Sequence, residues 1–247
     1  MKILNVALSM SFGCLLSAAA LADATAPVEV NAPIEKIFIP HGFDDNDNAE
    51  IMLKGTFANS CYRVGKGSAT VDYDTNVITV KASSYFYKSQ EYCMLMISNF
   101  LQPIKVGILK AGDYTVKLEG SDVTSTMTVG TRTTESADDY LYASVEQAYL
   151  KVNAENHKQS LVLQGHHPYW YTGCQVITEV KTYRNPANVL VVLPVSEIFE
   201  GDVCEQQPAD RAFRVEVGLP QPFTEEGMIH VRTLNGNSIN QYVAPVF

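Results

Sequence analysis

The chain has 247 residues, with 18 Lys or Arg against 27 Asp or Glu and a net charge of −9. That length accommodates two ordinary domains and little more. So acidic a chain lacks the basic face that nucleic acid or an anionic membrane surface demands, and neither is an expected partner.

Residues 1–22 read as a secretory signal peptide. Lys2 supplies the positive start, Ile3 to Leu16 the apolar stretch, and Ala20-Leu21-Ala22 the small-residue cleavage site. The apolar stretch is too short for a transmembrane anchor, and no second one approaches a membrane span. Cys14 does not make a lipoprotein signal, because Ser11 stands where an aliphatic residue is needed and the apolar run continues past the cysteine. Cleavage removes one lysine and no acid, so the net charge moves from −9 to −10. The expected location is the periplasm or the cell exterior. Residues 23–33, rich in Ala, Pro and Val, are expected to be a flexible tether.

From Ile34 the chain alternates between short apolar runs and turn residues. Ile34 to Ile39 reads as a strand buried on much of both faces, followed by the polar turn Asp44-Asp45-Asn46-Asp47-Asn48. Glu50 to Phe57, Tyr62 to Tyr73 and Val77 to Ala82 read as strands, the last two separated by Asp74-Thr75-Asn76. A loop rich in aromatics carries Tyr85, Tyr87 and Cys93. Pro103 to Leu109, Gly112 to Leu118 and Ser125 to Val129 complete the set. In the strand after Gly112, Tyr114, Val116 and Leu118 alternate with polar residues, the period of a strand with one buried face.

The chain then says the same thing again. Ile34 maps onto Val145 and Gly55 onto Gly165, offsets of 111 and 110, and Gly112 maps onto Gly227 at 115. This repeat makes Val145 to Val152 a strand, although its apolar residues also fit helical spacing. Ser160 to Leu163, Gln175 to Tyr183, the continuously apolar Val189 to Leu193, Ala212 to Val217, Met228 to Thr233 and Ile239 to Val246 follow. A period this long means duplicated domains rather than a solenoid. The expectation is an all-β protein of two tandem antiparallel β-sandwiches, residues 34–130 and 145–247, joined by a linker over 131–144.

With Cys14 cleaved away, four cysteines remain and allow three pairings. The repeat selects Cys61–Cys93 and Cys174–Cys204, 32 and 30 residues apart, one bond per domain in an oxidising compartment. No thiol would be left as a nucleophile.

The L-x-x-G-x-Y strand, Leu109, Gly112 and Tyr114 here, resembles the penultimate strand of bacterial immunoglobulin-like domains. The resemblance implies a tyrosine at that corner bonded back across the turn, and an extracellular scaffolding or binding role. The second repeat has Ile229 where Tyr114 is expected. The cysteine spacing is far shorter than in antibody domains, and no tryptophan follows Cys61 or Cys174.

Two stretches carry candidate sites. Asp44, Asp45 and Asp47 offer oxygen ligands to calcium, though without the glycine and distant glutamate of an EF-hand; a solvated turn is the plainer explanation. The second is the aromatic run Tyr169-Trp170-Tyr171 after His166-His167, suited to a glycan or a protein partner, as are Tyr85 and Tyr87. Adjacent histidines on an extended chain face opposite ways and do not share a zinc ion. The sequence holds no G-x-S-x-G, H-E-x-x-H or phosphate loop. The expected function is therefore a non-catalytic exported binding or scaffolding protein without a cofactor. The alternatives are a calcium-dependent structural or adhesive protein, or a secreted hydrolase inhibitor presenting the Tyr85 to Tyr92 loop.

Overall fold

The computed structural model describes residues 26–88, 92–169, 173–201, 204, 210–219 and 221–245. The expected signal peptide lies outside them. The first repeat contains β1 (Val28–Asn31), β2 (Ile34–Phe38), β3 (Phe43–Asp44), β4 (Ala49–Phe57), β5 (Tyr62–Asp72) and β6 (Val77–Phe86). It continues with β7 (Ser98–Gly107), β8 (Gly112–Leu118) and β9 (Thr124–Gly130). The second contains β10 (Val145–Val152), β11 (Gln159–His166), β12 (Cys174–Arg184) and β13 (Val189–Phe199). It ends with β14 (Ala212–Gly218), β15 (Gly227–Thr233) and β16 (Asn237–Val243).

The pairing is duplicated strand for strand. Sheet β2-β4-β7 matches β10-β11-β14, and the run β5-β6-β8-β9 matches β12-β13-β15-β16. Even the irregularities recur, since a bulge follows Ile34 in β2 and Val145 in β10. Each repeat thus closes two sheets over its own apolar core. Ile51, Leu53, Ile78 and Val116 lie in the first core, and Leu161, Leu163, Leu190 and Ile229 in the second.

The sheets are not purely antiparallel, contrary to the sequence expectation. β6 runs parallel to β8 and β13 parallel to β15, because the chain crosses to the other sheet through β7 or β14 before it returns beside the second strand of the hairpin. The register of these pairs aligns Thr115 with Met228, an offset of 113 rather than the 115 read from the glycines. Gly227, not Ile229, therefore stands in the place of Tyr114. The space above Gly227 is filled by the ring of Phe223. The Tyr114 hydroxyl donates to Lys110 O at 2.8 Å, the bond back across the corner that the resemblance implied.

The tether expectation is corrected as well. β8 pairs with β6 only over Val77 to Val80, which leaves the far half of that edge open, and β1 fills it opposite Ser83 to Phe86. The expected linker does the same for β13. Tyr142 bridges Val195, Ala143 N donates to Pro194 O, and Ser196 N donates to Leu141 O. An open backbone edge beside a core attracts the nearest chain that can pair with it.

The two repeats stack face to face. Phe38 and Met52 on the outer face of β2-β4-β7 pack with Val189, Val191, Leu193, Val195 and Met228 on the outer face of the second repeat's larger sheet. This third cluster makes β4 and β13 buried on both sides, which is why β13 is apolar with almost no alternation and why Glu50, Met52 and Lys54 on the outer face of β4 are all buried.

Candidate functional site

The disulfides join Cys61 to Cys93 and Cys174 to Cys204, with Cα separations of 5.3 and 5.2 Å. The first sits beside the most unusual surface of the molecule. Tyr92, Met94, Leu95, Met96 and Ile97 are all exposed, in a stretch that leads into β7 without a turn or bend. Its entry is clamped at three points. Cys93 is bonded to Cys61, Ser60 N donates to Met94 O at 3.0 Å, and Met94 N donates to Ser60 Oγ at 3.0 Å. The Asn59 side chain in turn accepts from Cys61 N at 3.0 Å. An aromatic stack underlies this end of the sheets. Phe57 lies on Phe100 with centroids 4.2 Å apart, and Tyr62 contacts both Phe57 and Phe86.

Tyr85 and Tyr87, singled out in the sequence, are half-buried beside this loop rather than presented by it. The exposed surface comes instead from Met94, Leu95, Met96 and Ile97, which the sequence reading passed over. The signal was available: four consecutive apolar residues follow a bonded cysteine, with no alternation to bury them. The corresponding connection in the second repeat is polar around its cysteine, Gly201 to Arg211 reading GDVCEQQPADR.

Tyr169 is exposed, and the Arg211 guanidinium lies 4.8 Å from its ring centroid. Trp170 and Tyr171 lie outside the described residues. His166 and His167 face opposite ways: His166 meets Glu146 at 3.1 Å on the surface, while His167 is buried against Phe213.

The acidic turn does not gather its carboxylates. Asp44 Oδ1 accepts from Asn46 N at 3.2 Å, and Asp45 Oδ1 accepts from Arg132 N at 2.9 Å. Asp47 turns inward, where Oδ2 accepts from Arg232 Nη1 at 3.1 Å across the junction of the repeats. Among the described residues no group of three or more His, Cys, Asp or Glu side chains could hold a metal ion.

Arg232 belongs to a buried polar cluster that sequence inspection did not find. It also donates to Gly42 O and lies 4.8 Å from the Phe43 ring centroid. Glu50 from β4 accepts from Ser238 and stands 3.4 Å from the His230 ring, whose Nδ1 meets Asn240 Oδ1 at 2.7 Å. Burial lowers the His230 pKa against the opposing pull of Glu50, and burial raises that of Asp47 against the pull of Arg232. The nearby Tyr142 phenol is pushed up to about 12 by burial. Beside this cluster an open cleft of about 480 Å³ runs between the repeats, with Val191 and Leu193 as its apolar wall and Tyr140 and Tyr183 at its rim.

Residues 51–129 match the family model of the ORF11 beta-sandwich domain. That span runs from within β4 to within β9, and with the strand pairing above it identifies a β-sandwich domain. No curated protein and no solved structure matches the chain. Among the described residues no helix is long and apolar enough to cross a membrane.

Proposed function

We propose that the protein is a non-catalytic exported binding or scaffolding module of the periplasm or cell surface, built from two tandem immunoglobulin-like sandwiches. The observation that carries this reading is the exposed apolar run Met94 to Ile97 held by the Cys61–Cys93 bond. A water-facing run of that kind marks an interaction site on a soluble protein. Two further features support it. The sequence has no catalytic motif, and the two repeats share a plan while differing in this loop. The binding reading is preferred to the calcium-dependent alternative because Asp47, one of the three candidate ligands, already balances Arg232.

The test is capture from envelope extract by the full mature chain and by the double variant Leu95→Asp, Ile97→Asp. Both side chains point into solvent, so the variant keeps its fold. A partner protein or glycan retained by the wild type and lost by the variant is the expected result. Identical captures by the two chains, or no specific capture by either, would remove the loop from the function.

A further inference from the structure

Residues Met94 to Ile97 show relative exposures of 65, 94, 51 and 79 %. Successive side chains on a bend-free chain point to opposite sides. Both sides of this segment are therefore open, and a flat receptor would bury only one of them. The occupant has to enclose the segment.

The backbone narrows the choice. Among the described residues no protein hydrogen bond reaches the peptide groups of Leu95 or Met96, although Met94 is bonded in both directions to Ser60. Lipid offers such groups no hydrogen-bond partner. A protein cleft that receives an extended strand satisfies them through its own main chain, with pockets for alternate side chains. The segment is also fixed at both ends, by the Cys93 bond and by the start of β7 at Ser98. A segment held in its bound shape loses little freedom on binding.

We propose that this segment occupies the substrate cleft of an endopeptidase with an apolar primary pocket, Leu95 filling that pocket, so that the chain acts as a peptidase inhibitor. The proposal deepens the binding reading above and rests on it. An endopeptidase cleft combines the two requirements, since it pairs with the backbone of an extended chain and surrounds its side chains. Leu95, the most exposed of the four, opens the unbonded stretch directly after the clamped Met94.

The experiment titrates the mature full-length chain against chymotrypsin, which has an apolar pocket, and trypsin, whose pocket is acidic. The expected result is inhibition of chymotrypsin and not of trypsin, with the chain intact afterwards. Leu95→Asp should weaken inhibition by at least about 30-fold, the loss of one hot-spot side chain. Leu95→Lys should transfer inhibition to trypsin, an exchange that unfolding could not produce. Absence of inhibition, or rapid cleavage after Leu95, overturns the proposal. So does sedimentation with phosphatidylcholine or phosphatidylglycerol vesicles that Leu95→Asp abolishes. If Leu95→Asp, Ile97→Asp loses a partner from extract while chymotrypsin stays fully active, the binding role stands and the inhibitor role falls.

Discussion

Gly55 and Gly165 hold the same place in the two repeats, opposite Phe100 in β7 and Phe213 in β14. A Cβ on Gly55 would run into Pro33 O and the Phe100 ring, and one on Gly165 into Ser144 O and the Phe213 ring. Backbone on one side and a packed ring on the other leave no room to yield. Gly55→Ala and Gly165→Ala should each destabilise by about 1–3 kcal/mol, the usual cost of overpacking. Thermal unfolding would check it: an unchanged midpoint in either variant would mean that the ring moves aside freely. These glycines were among the landmarks that revealed the duplication, but the sequence carried no sign of why they are glycine. That reason lies partly in Phe100 and Phe213, 45 and 48 positions further along the chain, and partly in the carbonyls of Pro33 and Ser144 before them.

At the scale of the element, the hairpin turns before β6 and β13 explain how a parallel neighbour is accommodated. Asn76 and Asn188 stand in the left-handed region, at φ of 52° and 60°. Their carbonyls accept from Thr115 N at 2.9 Å and Met228 N at 3.1 Å, which ties each hairpin to the strand it runs beside. The side chains differ. Asn188 Nδ2 donates to Glu225 O and Glu226 O, and Oδ1 accepts from Arg184 Nη1 at 3.4 Å, while among the described residues no such bond holds the Asn76 side chain. Asn76→Gly should therefore be close to neutral, since glycine adopts this conformation freely. Asn188→Gly should cost about 1–2 kcal/mol for the lost side-chain bonds. Denaturant midpoints of the two variants would decide it, and equal shifts would refute the difference. The strands themselves were legible because alternation and turn residues agree over most of the chain. Strand order was not. Nothing local in the β5-β6 hairpin says which of its strands meets β8, and β1 was invisible because its pairing site exists only once β8 has left half an edge uncovered.

The whole molecule is a stack of four sheets, and its middle junction has a different chemistry from its two cores. Phe38, Met52, Val191 and Met228 make it apolar at the centre, while Asp47, Glu50, His230 and Arg232 make it polar towards one side. The continuous apolar run of β13 and the two-sided β2 hinted at this junction, since a strand covered on both faces stops alternating. The ion pairs were beyond sequence reasoning, because Asp47 and Arg232 are 185 residues apart. His230 makes the junction sensitive to acid. Its ring faces Glu50 from β4, Arg232 on its own strand, Asn240 from β16 and Phe43 from β3. Burial holds its folded pKa below the ordinary value of 6.5, so below that pH the unfolded chain binds more protons than the folded one. Stability from this residue is then full above pH 6.5 and is lost as pH falls through the lowered folded value. Buried His167 has a lowered pKa and adds to the same trend, whereas Asp47 and Asp138, with raised pKa values, act oppositely, their contribution being lost as pH rises above the normal carboxylate value. Unfolding free energy of the wild type should therefore decline between pH 6.5 and 5, with a slope of at most about 1.4 kcal/mol per pH unit from His230. His230→Gln should flatten that decline while leaving the contribution of His167. Denaturant titrations of both chains at pH 7, 6 and 5 measure it. Parallel pH profiles would mean that His230 keeps the same proton affinity in both states, and that the junction tolerates a charge at its centre.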